Sequence, residues 1–191
     1  PEYVLFETYK SSDYNRFRFH NPVDIAVDSE KNIYITSFSD GSLVKIDSNG
    51  KGVFSIRPSL DSRLYGIDYR AGKIVLSDFK KDRVLIMDRS GNVLSRFGES
   101  GNGEGRFHGP EGLCFNGRGE IYVVDSGNSR VQKFDETGKF ILQFGKKGEY
   151  EGELSRPADV AAYRDRVYVT DTGNRRIACF DDSGNFIENI S

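Results

Sequence analysis

The chain has 191 residues, and 37% hydrophobic residues with 13% aromatics suffice for a substantial core, which excludes an intrinsically disordered protein. Its 27 basic and 29 acidic residues leave a net charge of −2, so no global field attracts nucleic acid or an anionic membrane. No apolar run approaches the roughly 18 residues of a membrane span, and we expect no membrane partner.

The predicted elements, in chain order, are short β-strands throughout. Apolar runs with a period of two, separated by Gly, Asn and Asp, fill the chain, and no segment keeps a helical period, which predicts an all-β protein. Residues 1–21 are predicted to contain a leading fourth strand, at 5–9, and a linker. Four repeats follow, at residues 22–63, 64–109, 110–156 and 157–191.

Each repeat has the same internal order of four strands. The third strand ends in an aspartate, and a turn follows whose glycine we expect to have a positive φ, namely Gly50, Gly91, Gly138 or Gly184. A four-stranded antiparallel sheet has two apolar faces and must stack on its neighbours to bury them, as the blades of a β-propeller do. The sequence therefore predicts about four blades plus one leading strand.

The third repeat carries the most specific motif. Residues 97–112 read FGESGNGEGRFHGPEG, and residues 121–135 read IYVVDSGNSRVQKFD. This pattern resembles the NHL repeat; the fourth copy matches well, whereas the first two are degenerate. The resemblance implies a β-propeller, typically six-bladed, of the kind used by animal tripartite-motif proteins, bacterial sensor proteins and a peptide-amidating lyase.

Three repeats carry an aspartate at the end of the second strand and an arginine at the start of the third. The pairs are Asp78 with Arg83, Asp125 with Arg130, and Asp171 with Arg176. The first repeat has lost both members, since Ser37 and Ser42 stand in their places. A pair that is kept or lost as a unit indicates a salt bridge that holds the loop rather than a catalytic acid and cation. We expect Asn128 and Asn174 to provide αL geometry in these turns.

Few residues of the types that carry catalysis are present. The two histidines, His20 and His108, precede the first strands of repeats one and three, where we expect them to cap linkers. The glycine-rich run at 98–105 lacks the strand and helix of a phosphate-binding loop and is interpreted as a linker. Cys114 and Cys179 lie in apolar strands and are expected to be buried thiols. We therefore expect no metal, no cofactor and no enzymatic activity.

One face of the predicted propeller contains the loops between second and third strands together with the blade linkers. Phe38 and Phe79 stand there in place of small polar residues and are candidate anchors for a partner; alternatively, they tuck beneath the adjacent linker. Basic residues on this face could contact phosphates or an acidic peptide, namely Lys80, Lys81, Lys146, Lys147 and Arg175. Glutamates on the same linkers leave a mixed, solvated surface as the alternative.

These features favour a non-catalytic protein-interaction scaffold that binds a protein or a peptide. The alternatives are a single-stranded RNA-binding domain, an extracellular sensor or ligand-binding module, and a lyase or hydrolase. A six-bladed ring needs more than four blades, so we expect further blades, or self-association with a second chain, to cover the open blade edges. Closure of four blades into a small ring is the remaining alternative.

Overall fold

The computed structural model describes residues 19–190, so the leading strand predicted at 5–9 lies outside the described residues. Residues 19–190 form four separate four-stranded antiparallel sheets. The all-β fold built from four-stranded antiparallel blades is therefore confirmed. No helix within this part of the chain is long and apolar enough to cross a membrane.

The four blades follow one another along the chain. Blade 1 consists of β1 (Pro22–Val27), β2 (Ile33–Ser37), β3 (Leu43–Ile46) and β4 (Gly52–Ile56). Blade 2 consists of β5 (Leu64–Arg70), β6 (Lys73–Asp78), β7 (Arg83–Asp88) and β8 (Val93–Phe97). Blade 3 consists of β9 (Pro110–Phe115), β10 (Ile121–Asp125), β11 (Arg130–Phe134) and β12 (Phe140–Phe144). Blade 4 consists of β13 (Pro157–Tyr163), β14 (Arg166–Asp171), β15 (Arg176–Asp181) and β16 (Phe186–Ile190).

Within each blade, every strand pairs with the next strand of the chain. The first strands, β1, β5, β9 and β13, lie side by side in that order, so they form the inner wall of an arc. The turns between third and fourth strands contain the predicted glycines, whose φ values of 79°, 87°, 92° and 84° at Gly50, Gly91, Gly138 and Gly184 are confirmed as positive. A side chain would be strained at such a φ.

The core consists of three apolar layers, each between two consecutive blades. Tyr34 and Leu85 lie in the layer between blades 1 and 2. Ile86 and Phe134 lie in the next layer. Tyr122 and Phe180 lie in the layer between blades 3 and 4. Because every layer is formed by residues of two blades, no blade can bury its apolar surface alone.

The two cysteines lie in different blades and are both free thiols. Cys179 is buried, and Cys114 is half-buried on an inner strand. Burial raises the pKa of the Cys114 thiol well above its usual range, so this sulfur remains protonated at neutral pH.

Candidate functional site

The loops between second and third strands have one conformation in blades 2, 3 and 4. In each, the second strand ends in aspartate, a short 3₁₀ helix follows, and a single αL residue precedes the arginine of the third strand. The αL residues are Asp82, Ser129 and Arg175, with φ values of 49°, 54° and 55°. The expectation that asparagine takes this role was wrong.

Asn128 and Asn174 use their side-chain amides instead. Asn128 Nδ2 donates to Asp125 Oδ2 and to the linker carbonyl of Gly101, both at 2.9 Å. Asn174 Nδ2 donates to Asp171 Oδ2 at 2.7 Å and to the linker carbonyl of Gly148 at 2.9 Å. In each turn, the two bonds require the asparagine side-chain amide to lie inside the turn, so the asparagine stands one residue before the αL position.

The Asp125 carboxylate and the Arg130 guanidinium form a buried ion pair, with 2.8 Å between Oδ2 and Nε. Asp125 Oδ1 also accepts a hydrogen bond from the backbone N–H of His108, at 2.8 Å. Arg130 donates to the linker carbonyls of Asn102, Gly103 and Arg106. The pair therefore joins the loop to the linker that enters the blade.

The equivalent pairs in the neighbouring blades are more exposed. Arg176 Nε lies 2.8 Å from Asp171 Oδ2, and its other nitrogens donate to carbonyls of the preceding linker. Arg83 Nη2 lies 3.0 Å from Asp78 Oδ2. In blade 1, Ser37 Oγ accepts from the backbone N–H of His20 at 2.6 Å, and Ser42 Oγ donates to Asp40 Oδ1 at 2.8 Å.

Phe38 and Phe79 belong to one aromatic cluster. Their ring centroids are 5.7 Å apart, and the rings meet edge to face. Tyr65, from the inner strand β5, is the third member, at 6.1 Å from Phe38 and 6.5 Å from Phe79. All three rings are half-buried. Phe79 also packs against the linker at Gly109, where an added Cβ would lie 2.8 Å from its Cε2 atom.

A surface depression of about 370 Å³ adjoins Phe79. Its walls include Lys80, His108 and Ser126, and Glu111 contributes a carboxylate. Burial raises the pKa of Glu111, although hydrogen bonds with Ser126 and Tyr65 act in the opposite direction. The depression thus places an apolar ring, a cation and a carboxylate around one space.

The structure does not bring all the predicted basic residues together. Lys80 borders the depression, whereas Lys81 Nζ lies 3.4 Å from Asp61 Oδ2. Lys146 Nζ lies 3.2 Å from Glu153 Oε1, on the linker between blades 3 and 4. Lys147 is on that same linker, and Arg175 is in the loop of blade 4. The basic residues therefore follow the arc and are partly neutralised by carboxylates.

Sequence reasoning missed Tyr65 and Glu111. Both occupy the second position of an inner strand, where blades 1 and 4 have Val23 and Ala158. An aromatic and an acidic side chain at a position otherwise held by small apolar residues is the signal that could have identified them.

The histidines play minor parts in this region. His20 Nδ1 lies 3.2 Å from Asp40 Oδ2, and the side chain of His108 is exposed at the rim of the depression. Within residues 19–190, no three His, Cys, Asp or Glu side chains are grouped so as to hold a metal ion.

Comparison with protein-family models identifies residues 107–134 as an NHL repeat. The resemblance of the third repeat to the NHL repeat is thereby confirmed, and it agrees with the β-propeller fold. A comparison with curated protein sequences gives no match.

Among solved structures, a streptogramin B lyase is similar with a TM-score of 0.74 and 16% identity, over 90% of this chain and 54% of that one. The virginiamycin B lyase of Staphylococcus aureus gives 0.72 and 17%, over 88% and 55%. The hydrazine synthase of Kuenenia stuttgartiensis gives 0.71 and 15%, over 99% and 52%. The chain thus spans about half the length of these proteins, and the likeness shows the fold alone.

Proposed function

We propose that the chain is a non-catalytic protein-interaction scaffold, and that the cluster of Phe38, Tyr65 and Phe79 is the anchor point for a protein or peptide partner. The observation that carries this proposal is the half-buried state of three mutually packed rings on the loop face. Aromatic rings beside a depression provide large contact area at low entropic cost, which is typical of binding hot spots.

The depression beside Phe79 supports a ligand with an apolar anchor. Phe79 and Gly109 offer an apolar wall, and Glu111 and Lys80 offer polar groups of both signs that can fix the orientation of a bound peptide. Two of the similar structures are lyases by name, and we propose no lyase activity for this chain. The distinctive groups of this site are rings rather than a nucleophile paired with a base.

Binding of single-stranded RNA is the second candidate, because Lys80, Lys147 and Arg175 form no ion pair within residues 19–190. The pairing of Lys81 and Lys146 with carboxylates makes this face less favourable for phosphates than a continuous basic groove. The two candidates differ in their response to salt, since an RNA complex weakens steeply as the salt concentration rises.

The test begins with partners recovered by cross-linking and mass spectrometry, with and without nuclease. We expect Phe38→Ala and Phe79→Ala each to weaken binding of a recovered partner at least about tenfold, as loss of a hot-spot ring does. The matched control is Leu60→Ala, which removes a side chain that is 90% exposed. Thermal unfolding of each variant verifies that the fold survives.

Unchanged affinity of both phenylalanine variants would remove the cluster from the binding site. Loss of binding on nuclease treatment, together with a steep salt dependence, would favour RNA instead.

A further inference from the structure

Blade 2 differs from blades 3 and 4 in the length of the linker that enters it. Residues 57–63 join β4 to β5 and are seven in number, whereas the linkers that enter blades 3 and 4 have twelve residues each. In the two later blades, the long linker supplies the backbone carbonyls that accept hydrogen bonds from Arg130 and Arg176. The short linker gives Arg83 no such acceptor among residues 19–190.

Arg83 therefore keeps hydrogen-bonding capacity that its counterparts have used. Its Nε and Nη2 atoms both donate to Asp78 Oδ2, at 3.2 and 3.0 Å, whereas Nη1 has no acceptor among residues 19–190. In that part of the chain no fully buried side-chain nitrogen lacks a hydrogen-bond partner, so Nη1 reaches the surface. The side chain as a whole is only 17% exposed. Asp78 thus holds a guanidinium in place with one edge turned outward.

A second arginine stands beside the first. In blade 3 the Oε1 atom of Gln143 accepts a hydrogen bond from Arg130 Nη1, at 2.6 Å. The strand register places Arg96 at the equivalent position of blade 2, where blades 1 and 4 have Ser55 and Asn189. Among the four blades, only blade 2 therefore has a cation here. Neighbouring like charges repel each other, and an anion bound between them relieves that repulsion.

Arg83 and Arg96 line one surface depression, of about 660 Å³, together with the linker that leaves blade 2. That linker contributes a third guanidinium from Arg106, which forms an ion pair with Glu99 at 2.8 Å. Glu104 is the second carboxylate of the depression and forms no ion pair among residues 19–190. None of these five side chains borders the depression of the aromatic cluster. We name this group of five residues the arginine site.

We propose that the arginine site binds the phosphate of a phosphorylated side chain in a partner peptide. Arg83 and Arg96 belong to neighbouring strands, and Arg106 belongs to the linker, so their donors approach one space from different sides. A phosphate monoester has three acceptor oxygens and can bind several guanidiniums at once, whereas a planar carboxylate matches the fork of one guanidinium. Three arginines around one space are thus better suited to phosphate than to carboxylate.

The carboxylates of the arginine site favour a peptide over a nucleic acid. Glu99 and Glu104 line the same depression as the arginines, and they repel the successive phosphates of an RNA strand. A peptide brings a single phosphate and can carry a lysine beside it, which Glu104 can bind. We therefore expect the arginine site to prefer a phosphorylated residue with a basic neighbour.

The first experiment compares peptides that differ in one group. A fluorescein-labelled peptide with a central phosphoserine between lysines is titrated with the whole chain at a fixed salt concentration. The same peptide with serine, or with glutamate, in place of phosphoserine is titrated in parallel. We expect the phosphoserine peptide to bind at least about tenfold more tightly than the serine peptide, because charge-assisted hydrogen bonds are strong. The glutamate peptide is expected to lie between them, and inorganic phosphate is expected to compete.

Two variants test the residues. Arg96→Gln gives blade 2 the residue type of blade 3 at this position. We expect it to reduce the affinity for the phosphoserine peptide at least about tenfold while the melting temperature stays unchanged, since the side chain is exposed. Glu104→Gln is expected to weaken binding of this peptide, but not of a phosphoserine peptide that lacks lysines.

Arg89→Gln is the matched control for charge. Arg89 is an arginine of the same blade, in the turn between third and fourth strands, where it forms an ion pair with Glu30. Its replacement changes the net charge as Arg96→Gln does, and we expect unchanged affinity for the phosphoserine peptide. Phe79→Ala is also expected to leave this affinity unchanged, so the arginine site is tested separately from the aromatic cluster.

Equal affinities for the phosphoserine and serine peptides would overturn the proposal. Equal losses in Arg96→Gln and Arg89→Gln would overturn it as well, because net charge alone would then explain the binding. An RNA oligonucleotide that binds more tightly than the phosphoserine peptide, and that Arg96→Gln releases, would make nucleic acid the ligand instead. Unchanged affinity of Arg96→Gln with a lowered melting temperature would leave Arg96 a structural role only.

Discussion

Arg130 shows what the aspartate–arginine pairs do at the scale of single residues. Its side chain is 7% exposed, yet every nitrogen of the guanidinium is hydrogen-bonded: Nε to Asp125, Nη1 to the Asn102 carbonyl and Gln143, and Nη2 to two further linker carbonyls. A buried cation is tolerated only when it is compensated in this way. The pair therefore fixes the long linker 98–109 as well as the loop.

We expect Arg130→Ala to lower the free energy of unfolding by about 3–5 kcal/mol, because it leaves the Asp125 carboxylate buried without its cation. Arg83→Ala is the matched comparison. Arg83 is 17% exposed, and among residues 19–190 its guanidinium bonds only to Asp78, so we expect a loss of about 1–2 kcal/mol. Urea unfolding of the two variants measures both values, and equal losses would show that the linker bonds add nothing.

Asp182 gives a pH-dependent contribution at the contact between blades 3 and 4. Burial raises its pKa, but hydrogen bonds from Tyr122, Lys133 and Arg118 outweigh burial and lower the pKa to about 2. A carboxyl with a lowered pKa stabilises the fold above its unfolded value of about 3.9, and this stabilisation is lost as the pH falls towards the folded value.

We therefore expect the wild type to be more stable than Asp182→Asn above about pH 4, with a difference that shrinks between about pH 4 and pH 2. Thermal unfolding of both proteins across this range measures the difference in stability. The other carboxylates titrate in both proteins alike, so their effect largely cancels in that difference. A stability difference that does not change with pH would show that the charge of Asp182 is not its cause.

At the scale of elements, inner strands of consecutive blades lie close together at positions where the sequence has glycine. A Cβ added at Gly112 would lie 2.6 Å from Asp159 Cα and 2.8 Å from the Ala158 carbonyl oxygen. These are backbone atoms of the next blade, so they cannot move aside without shifting a strand. Gly112 is thus needed for strand spacing rather than for an unusual φ.

We expect Gly112→Ala to destabilise the protein by about 1–3 kcal/mol through overpacking. Gly117→Ala is the control, because nothing lies within 4 Å of an added Cβ there. It is expected to be neutral or slightly stabilising, since it reduces the freedom of the unfolded chain. Calorimetry of the two variants compares them; a stable Gly112→Ala protein would mean that the blades can move apart.

Elements determined by local sequence could be predicted, and contacts between blades could not. The turn glycines and the four-strand order follow from period-two patterning and hairpin chemistry, which act over a few residues. The αL position was missed because the tolerance of Asn128 for that geometry is outweighed by its bond to Asp125. Tyr65 joins Phe38 only because blades 1 and 2 stack, which no local pattern reveals.

At the scale of the whole molecule, stability comes from the stacking of blades. Equivalent positions in different blades therefore contribute different amounts to the free energy of unfolding. We expect Val131→Lys to prevent stable folding, because it places a charge in the fully buried layer between blades 3 and 4. Ile177→Lys, at the equivalent position of blade 4, is expected to change stability by less than about 0.5 kcal/mol. Circular dichroism during heating distinguishes the two.

Strong destabilisation by Ile177→Lys would show that the outer face of blade 4 is covered in solution. The six-bladed ring implied by the resemblance stays a prediction.

The tyrosine–carboxylate bonds between and within blades give the molecule a built-in optical signal. The chain has no tryptophan, so its ten tyrosines determine the ultraviolet emission. Tyr34 and Tyr122 donate to Asp28 and Asp182, and an excited phenol loses its proton readily to a bonded carboxylate, which quenches its light. Separation of blade 3 from blade 4 releases Tyr122 from Asp182. Tyrosine emission should therefore brighten as these two blades part, without any attached dye.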